Sequence, residues 1–283
     1  MISRRRLAAT VALASLSTSA RGQEAIKDDY ILGVDNSGYP GDEAIKWFQE
    51  SNERRFVGLY LTHWNPKNNA IHEDGSWISK RQYLAERGWG FLPCYMGKQP
   101  PGAGGKKYPI FPMSTAQDGT DLGNQAAALM KKAGFQTGSV VYLDVEAPVD
   151  EASPYLNYIK SWQRSVAKAG YYPGLYCSHT IISWARKYTS VIWGYELPMG
   201  ATISRLMEET AAILDYDPLK YPHGIIYDGA IATQYTQNKP IPGCPKKDDF
   251  DCNSALVADP SNLSSILWKL NQRTADPSRF DYP

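Results

Sequence analysis

Two carboxylates end a short apolar run, and their spacing suits acid–base chemistry. The run covers residues 140–146 and ends with the acids Asp144 and Glu146. Alternate side chains of a β-strand share a face, so Tyr142, Asp144 and Glu146 point the same way, with the Cα atoms of the two acids roughly 7 Å apart. Carboxylates this close shift each other's pKa, so that one can hold a proton while the other is charged. The competing interpretation is a structural acid pair held by Arg or Lys side chains.

The elements around this run alternate between strands and helices. Eight extended segments are predicted, at residues 31–35, 56–62, 90–96, 140–146, 172–178, 191–196, 230–236 and 250–253. Predicted helices lie between them at 42–53, 78–87, 116–133, 152–169, 179–188 and 202–214, with a closing helix at 261–271. This alternation predicts parallel strands with crossover helices.

Eight strands in roughly 250 residues fit an α/β fold of the TIM (β/α)8 barrel type, modified by reduced or irregular later helices. The whole of residues 23–283 is expected to form one such domain. A doubly wound sheet is the alternative. It is disfavoured because no Gly-rich phosphate-binding loop follows the first strand.

A barrel brings the acids together at one end, because side chains at the C-terminal ends of its strands face the active site. Asp35 ends the first strand and Asp251 lies in the last, and these strands become neighbours when the barrel closes. We therefore expect Asp35 and Asp251 to lie close together, across from Asp144 and Glu146. Four acids around one mouth, without a Cys or His cluster, suit cleavage of a glycosidic bond, in which one acid protonates the leaving oxygen.

Aromatic side chains recur near the predicted strand ends. Each Tyr or Trp offers a flat face and a polar tip, which suits stacking on sugars or hydrogen bonding to the acids. Core packing is the competing interpretation for any single tyrosine. The aromatic residues expected to bind substrate are Tyr60, Trp64, Tyr95, Tyr142, Tyr176, Tyr195 and Tyr235.

The N-terminal segment predicts export. Residues 1–22 carry four arginines and no acid, a moderately apolar run from Leu7 to Leu16, and small residues before a cleavage point after Gly22. The Arg4–Arg5 pair after Ser3 is typical of a twin-arginine signal, although an ordinary secretory signal is the alternative. The product is then expected in the periplasm or secreted from a bacterium.

The charge of the remaining chain argues against nucleic acid as a partner. Of 30 basic residues, 26 remain after residue 22, against 29 acidic ones, and no basic patch stands out. No apolar run after residue 22 is long enough to span a membrane.

The four cysteines do not have the spacing of a zinc site, and no metal or other cofactor is expected. Cys244 and Cys252 close a short loop and are predicted to form a disulfide in an exported protein, with two free thiols as the alternative. Cys94 and Cys177 lie inside predicted strands and are expected to be buried apolar residues.

An ordered series of motifs resembles the family 25 glycoside hydrolases, which are lysozymes (muramidases) of peptidoglycan. The motifs lie at residues 33–37, 142–146, 172–178, 234–236 and 250–253. Residues 57–60 and 92–99 are also similar to a related bacterial family of glycoside-hydrolase-like domains of unknown function. The resemblance covers nearly all of residues 30–270, and it implies a modified barrel that acts on peptidoglycan or another N-acetylated glycan.

The resemblance also implies roles for the acids. Glu146 would be the general acid, and Asp144 would raise its pKa or orient a substrate N-acetyl group. Asp35 and Asp251 would position substrate and tune charge, and Gln234 would contact substrate. Activity does not follow from fold alone, so two alternatives stay open: a non-catalytic glycan-binding barrel, and a Mg²⁺-dependent barrel enzyme.

Overall fold

The computed structural model describes residues 30–65, 70–100, 114–146, 153–178, 181–195 and 229–274. Within these ranges the strands are β1 (Ile31–Asp35), β2 (Phe56–Tyr60), β3 (Thr62–Asn65), β4 (Ala70–Glu73), β5 (Gly90–Tyr95), β6 (Val140–Val145), β7 (Tyr172–Ser178), β8 (Ile192–Tyr195), β9 (Ala232–Pro240) and β10 (Asp249–Ala255). The helices are α1 (Asp42–Ser51), α2 (Gly75–Ile78), α3 (Arg81–Ala85), α4 (Ala116–Lys132), α5 (Tyr155–Lys168), α6 (Ile182–Ala185) and α7 (Leu263–Thr274).

Eight strands close into a barrel in the order β1-β10-β9-β8-β7-β6-β5-β2. This order confirms the predicted α/β barrel of the TIM type. Neighbouring strands run parallel except at β10, which is antiparallel to both β1 and β9. The expectation of parallel strands throughout is therefore wrong for the last strand. The connection from β9 to β10 spans only residues 241–248, too short for a crossover helix.

Three smaller departures concern the connections. The connection after the second strand, to which no strand was assigned from the sequence, contains the β3–β4 hairpin, in which His63 and His72 face each other. The predicted helix at 78–87 is instead the pair of short helices α2 and α3. The predicted helix at 179–188 shortens to α6. The predicted helix at 202–214 and the signal at 1–22 lie outside the described residues.

Strand alternation divides the apolar side chains into two layers. Inward-facing residues such as Phe56, Leu92 and Trp193 fill the barrel. Outward-facing residues such as Val57 and Leu143 pack between the barrel wall and the helices. The two layers fix which side of each strand faces the barrel interior, and so which polar side chains can meet there.

Gly58 is the point where β2 passes closest to an acid of the barrel interior. It pairs with Asp35 across the β1–β2 ladder. A Cβ atom at position 58 would lie 2.3 Å from the Cβ of Asp35 and 3.4 Å from the Trp193 ring. Only a residue without a side chain fits there while Asp35 keeps its position.

We expect Gly58→Ala to lower the free energy of unfolding by about 1–3 kcal/mol and to displace Asp35, because overpacking a closed interior forces its neighbours to move. Gly38→Ala is the matched control, since a Cβ atom at position 38 would meet nothing within 4 Å. Urea unfolding of both variants measures the difference. Equal stability of the two variants would contradict the close packing of Gly58 against Asp35.

Candidate active site

The four predicted acids lie at one end of the barrel, the mouth, where β1 and β6 end. Asp35 pairs with Asp251 across the β1–β10 ladder. Because β10 runs antiparallel, Asp251 lies near the start of its strand and still reaches the mouth. β6, which carries Asp144, stands opposite β10, with three strands between them on either side. The structure therefore places one acid pair across the barrel from the other.

Asp35 and Asp251 are held by neutral hydrogen-bond donors. The Gln234 side-chain amide donates to Asp35 Oδ1 at 3.0 Å and to Asp251 Oδ2 at 3.2 Å. Asn253 Nδ2 also donates to Asp35 Oδ1, at 2.5 Å, and the Tyr60 hydroxyl donates to Asp35 Oδ2 at 2.9 Å. The backbone N–H of residue 238 donates to Asp251 Oδ1 at 2.6 Å. These donors fix both carboxylates without a positive charge.

Burial makes ionisation of this pair costly. Desolvation raises the pKa of Asp35, although hydrogen bonds from Gln234, Asn253 and Tyr60 oppose the shift. Desolvation, followed by the charge of Asp35, raises the pKa of Asp251 to about 8. The two carboxyl groups therefore hold a proton between them near neutral pH, since two like charges cannot both ionise cheaply at this distance.

Asp144 and Glu146 occupy the end of β6 in different surroundings. Asp144 is 2% exposed, and among the described residues its Oδ1 atom has no hydrogen-bond partner. Burial raises the pKa of Asp144 well above its ordinary value, and the charge of Glu146 adds to the shift. Glu146, one residue beyond β6, is half-buried. This pair combines a buried acid with an unused acceptor and a second acid nearer to solvent.

Two tyrosines connect the acid pairs. The Tyr176 hydroxyl donates to Gln234 Oε1 at 2.8 Å, and the Tyr195 hydroxyl donates to the backbone oxygen of Glu146 at 2.8 Å. Their rings stack with centroids 4.8 Å apart and planes 28° from parallel. Tyr60, Tyr176 and Tyr195 are therefore three predicted aromatic residues that the structure does bring to the acids.

Three other tyrosines expected to bind substrate lie elsewhere, and that expectation is wrong for them. Tyr142 faces inward but below the mouth, where its hydroxyl donates to the Pro260 oxygen at 2.7 Å. Tyr95 and Tyr235 follow the inward-facing Cys94 and Gln234 by one residue, so alternation turns both outward into the layer beneath the helices. There Tyr95 bonds Gln125 and Tyr235 accepts from Arg54.

Trp64 and Gln234, which were also predicted to bind substrate, differ in their exposure. Trp64 is half-buried on the β3–β4 hairpin, which follows β2 at the mouth, and it pairs with Ile71 across that hairpin. Gln234 lies at the mouth as expected but is 1% exposed. Its oxygen also accepts from Gln237 at 2.6 Å, so all four of its hydrogen-bonding positions are used inside the protein. Gln234 therefore positions acids and has no capacity left to contact substrate.

Two residues that bond the acids or their backbone, Asn253 and Gln99, were assigned no role from the sequence, although both lie in motifs that carry the family resemblance. Asn253 lies two residues after Asp251 and so shares its face, a spacing that was readable from the sequence. Gln99 follows β5 at the end of the 92–99 motif that carries the family resemblance, and its side chain bonds the backbone at both Asp144 and Glu146. No local pattern indicates that contact.

The predicted disulfide between Cys244 and Cys252 is absent, because all four cysteines are free thiols in the structure. The Cys252 thiol is fully buried and faces the Arg54 guanidinium at 3.8 Å, whereas Cys244 is half-buried in the preceding loop. Cys94 and Cys177 are buried strand residues, as predicted.

Among the described residues, no group of three or more His, Cys, Asp or Glu side chains has the arrangement of a metal site. None of the described helices is long and apolar enough to cross a membrane.

The barrel is closed and carries its acids at the mouth, the end at which active sites of TIM-type barrels lie. The sequence matches the family model described as "Rv2525c-like, glycoside hydrolase-like domain" over residues 46–249. The chain belongs to this family. The matched segment includes Asp144, Glu146, Gln99 and Gln234. Asp35 and Asp251 lie just outside it. No curated protein matches the sequence.

Solved structures share the fold. The Tat-secreted protein Rv2525c of Mycobacterium tuberculosis, in complex with HEPES, aligns with a TM-score of 0.50 at 18% identity, over 82% of this chain and 96% of that one. An uncharacterized B. stearothermophilus protein aligns with a TM-score of 0.50 at 17% identity, over 81% and 98%. The modular autolysin LytC of Streptococcus pneumoniae, in complex with a synthetic peptidoglycan ligand, aligns with a TM-score of 0.50 at 15% identity. The alignment covers 80% of this chain and 46% of LytC.

We expect Asp251→Asn to stabilise the protein at about pH 8 and to have little effect at about pH 4. The pKa of Asp251 is raised from 3.8 to about 8 on folding. The folded protein thus keeps a proton that the unfolded chain releases, and stability falls as pH rises between these values. Asparagine removes the titration but keeps an acceptor for the backbone N–H of residue 238.

Unfolding free energies of wild type and variant across this range measure the effect, which we expect to be about 3–5 kcal/mol at the alkaline end. Asp248→Asn is the control, because Asp248 forms a surface ion pair with Lys246. If the wild-type and Asp251→Asn stability curves stay parallel over the whole range, Asp251 does not retain a proton in the folded state.

Proposed function

We propose that the protein hydrolyses a glycosidic bond in an N-acetylated cell-wall glycan of the peptidoglycan type, with Glu146 as the general acid. The observation that carries this proposal is the buried Oδ1 atom of Asp144, which has no partner among the described residues and lies beside Glu146. A buried carboxylate oxygen without a donor is costly, and a ligand N–H group would satisfy it. The acetamido N–H of an N-acetylated sugar has this chemistry.

Binding of such an N–H group would also place the proton correctly. In the free protein, burial and then the charge of Glu146 favour the protonated form of Asp144. A hydrogen bond to the charged form of Asp144 lowers its pKa, so that its proton can pass to Glu146. Glu146 then protonates the leaving glycosidic oxygen while the acetamido oxygen, oriented by Asp144, bonds to the anomeric carbon. Water afterwards attacks the anomeric carbon and releases the acetamido oxygen, and a proton of this water returns to Glu146.

The opposite acid pair has a supporting role in this mechanism. Asp35 and Asp251 face the same mouth and carry partial negative charge that the barrel holds in place. Positive charge develops at the sugar ring when the bond breaks. Fixed negative charge at short range in a site of low dielectric stabilises that state more than it would in water.

Glu146→Gln should lower the rate of peptidoglycan cleavage by about 10²–10⁴-fold, because the amide cannot donate the proton that the leaving group needs. Release of reducing ends from purified peptidoglycan and chitin oligomers, with mass spectra of the products, measures the loss. Glu86→Gln is the control, since Glu86 is exposed on the turn after α3.

Undiminished cleavage by Glu146→Gln would rule out this mechanism. Saturable glycan binding without products, in wild type and variant alike, would instead support a non-catalytic glycan-binding barrel. Cleavage that stops with a chelator would support the Mg²⁺-dependent alternative.

We also propose that residues 1–22 direct export through the twin-arginine route. The support is the Arg4–Arg5 pair before a weakly apolar run. Replacing both arginines with lysine should abolish export of a fused reporter, because the paired arginines are the recognised feature. Lysine at two positions outside the pair, Arg6 and Arg21, serves as the control. Export that survives the Arg4→Lys, Arg5→Lys change would favour an ordinary secretory signal.

A further inference from the structure

The pairing of β5 with β6 ends before Glu146, the proposed general acid. β5 pairs with β6 at Cys94–Tyr142 and Tyr95–Leu143, and β5 then stops. Within the described part of the chain, no strand lies on that side of the β6 backbone beyond Leu143. Peptide groups buried without partners are costly, so something else must bond the backbone that carries Asp144 and Glu146.

The side chain of Gln99 takes the place of the missing strand. Its Nε2 donates to the backbone oxygen of Asp144 at 3.2 Å, and its Oε1 accepts from the backbone N–H of Glu146 at 3.0 Å. Gln99 is only 4% exposed. One side-chain amide thus reproduces the donor and the acceptor that a peptide group of a neighbouring strand would offer.

The other side of β6 is also held. β7 continues the ladder there, with Tyr176 beside Asp144 and Cys177 beside Val145. Beyond this ladder the Tyr195 hydroxyl donates to the backbone oxygen of Glu146 at 2.8 Å. Both main-chain polar groups of Glu146 are therefore bonded by side chains, Gln99 at the N–H and Tyr195 at the oxygen.

The segment that carries Gln99 is itself anchored to the helices. The Tyr155 hydroxyl donates to the Lys98 oxygen at 2.6 Å, and the Lys98 N–H donates to the Tyr158 hydroxyl at 3.3 Å. The Lys98 ammonium pairs with Asp118 at 2.7 Å. At Gly97 a Cβ atom would lie 2.2 Å from the Tyr158 hydroxyl, so the segment passes α5 as closely as a glycine allows.

We propose that Gln99 is a positioning residue for the reaction, which fixes the Glu146 backbone so that the acid reaches the leaving oxygen. This inference rests on the proposed function. Glutamine suits the position because it combines donor and acceptor without charge. A carboxylate there would lose the donor and add a third negative charge beside Asp144 and Glu146.

Gln99→Met is the first test, because methionine keeps the length of the side chain but removes both polar atoms. We expect kcat to fall about 10–100-fold with KM nearly unchanged, since a small misplacement of an acid is felt mainly in the chemical step. Hydrogen exchange of the Glu146 amide, followed by NMR, should accelerate relative to wild type. Gln163→Met is the matched control, since it removes a Gln side-chain bond to a backbone oxygen away from the mouth.

Gln99→Glu gives a second measurement, the pH dependence of kcat, which would not change if the role of Gln99 were merely structural. A protonated glutamic acid has the donor and acceptor of glutamine, whereas its carboxylate lacks the donor. The ratio of variant to wild-type kcat should therefore rise as pH falls towards about 5.

The outcomes separate this inference from the proposed function. If wild type cleaves peptidoglycan and Glu146→Gln does not, but Gln99→Met matches wild type in kcat and in exchange at Glu146, positioning by Gln99 is wrong and the proposed function stands. If wild type cleaves nothing, the proposed function fails, and a positioning role in that reaction fails with it. In that case faster exchange at Glu146 in Gln99→Met still reports the backbone contact itself.

Discussion

The burial of carboxyl groups without cationic partners is the constraint on which the rest of this barrel mouth depends. Asp35 and Asp144 are almost fully buried, and their described contacts include no ion pair. The ion pairs among the described residues instead lie near the surface, as between Lys80 and Asp42. A buried acid without a cation must be protonated or surrounded by donors. The donors around Asp35 and the raised pKa values on both sides of the mouth follow from this requirement.

The raised pKa of Asp144 distinguishes its described surroundings from the interpretation in which Arg or Lys holds that acid. A cation beside Asp144 would lower its pKa and keep it charged. The buried Arg54 is available in the same fold, but it lies in the outer layer and bonds Tyr235 rather than an acid of the mouth. Among the described residues, this buried cation therefore lies away from the acids of the mouth.

Strand order and alternation account for what the sequence predicted and for what it did not. The neighbourhood of Asp35 and Asp251 followed from closing a barrel of eight strands, and it holds although β10 runs antiparallel. Alternation, applied strictly, excludes Tyr235 once Gln234 faces inward, so that error was avoidable. The contact of Gln99 with Asp144 and Glu146 was not predictable, because these residues lie 45 and 47 positions apart in the chain and no periodic pattern relates them.

The two acid pairs differ in their hydrogen bonding, and this difference gives them different parts in the proposed hydrolysis. The Asp35 and Asp251 oxygens are bonded by donors that the protein supplies, so this pair is complete before substrate arrives. The Asp144 pair has an acceptor left over, and its proton can be redistributed by whatever donor enters. A preorganised pair stabilises charge without rearranging, whereas a pair with an open acceptor responds to the substrate. In the proposed hydrolysis Asp35 and Asp251 therefore supply fixed negative charge. Asp144 and Glu146 supply the proton, and only when the correct sugar is bound.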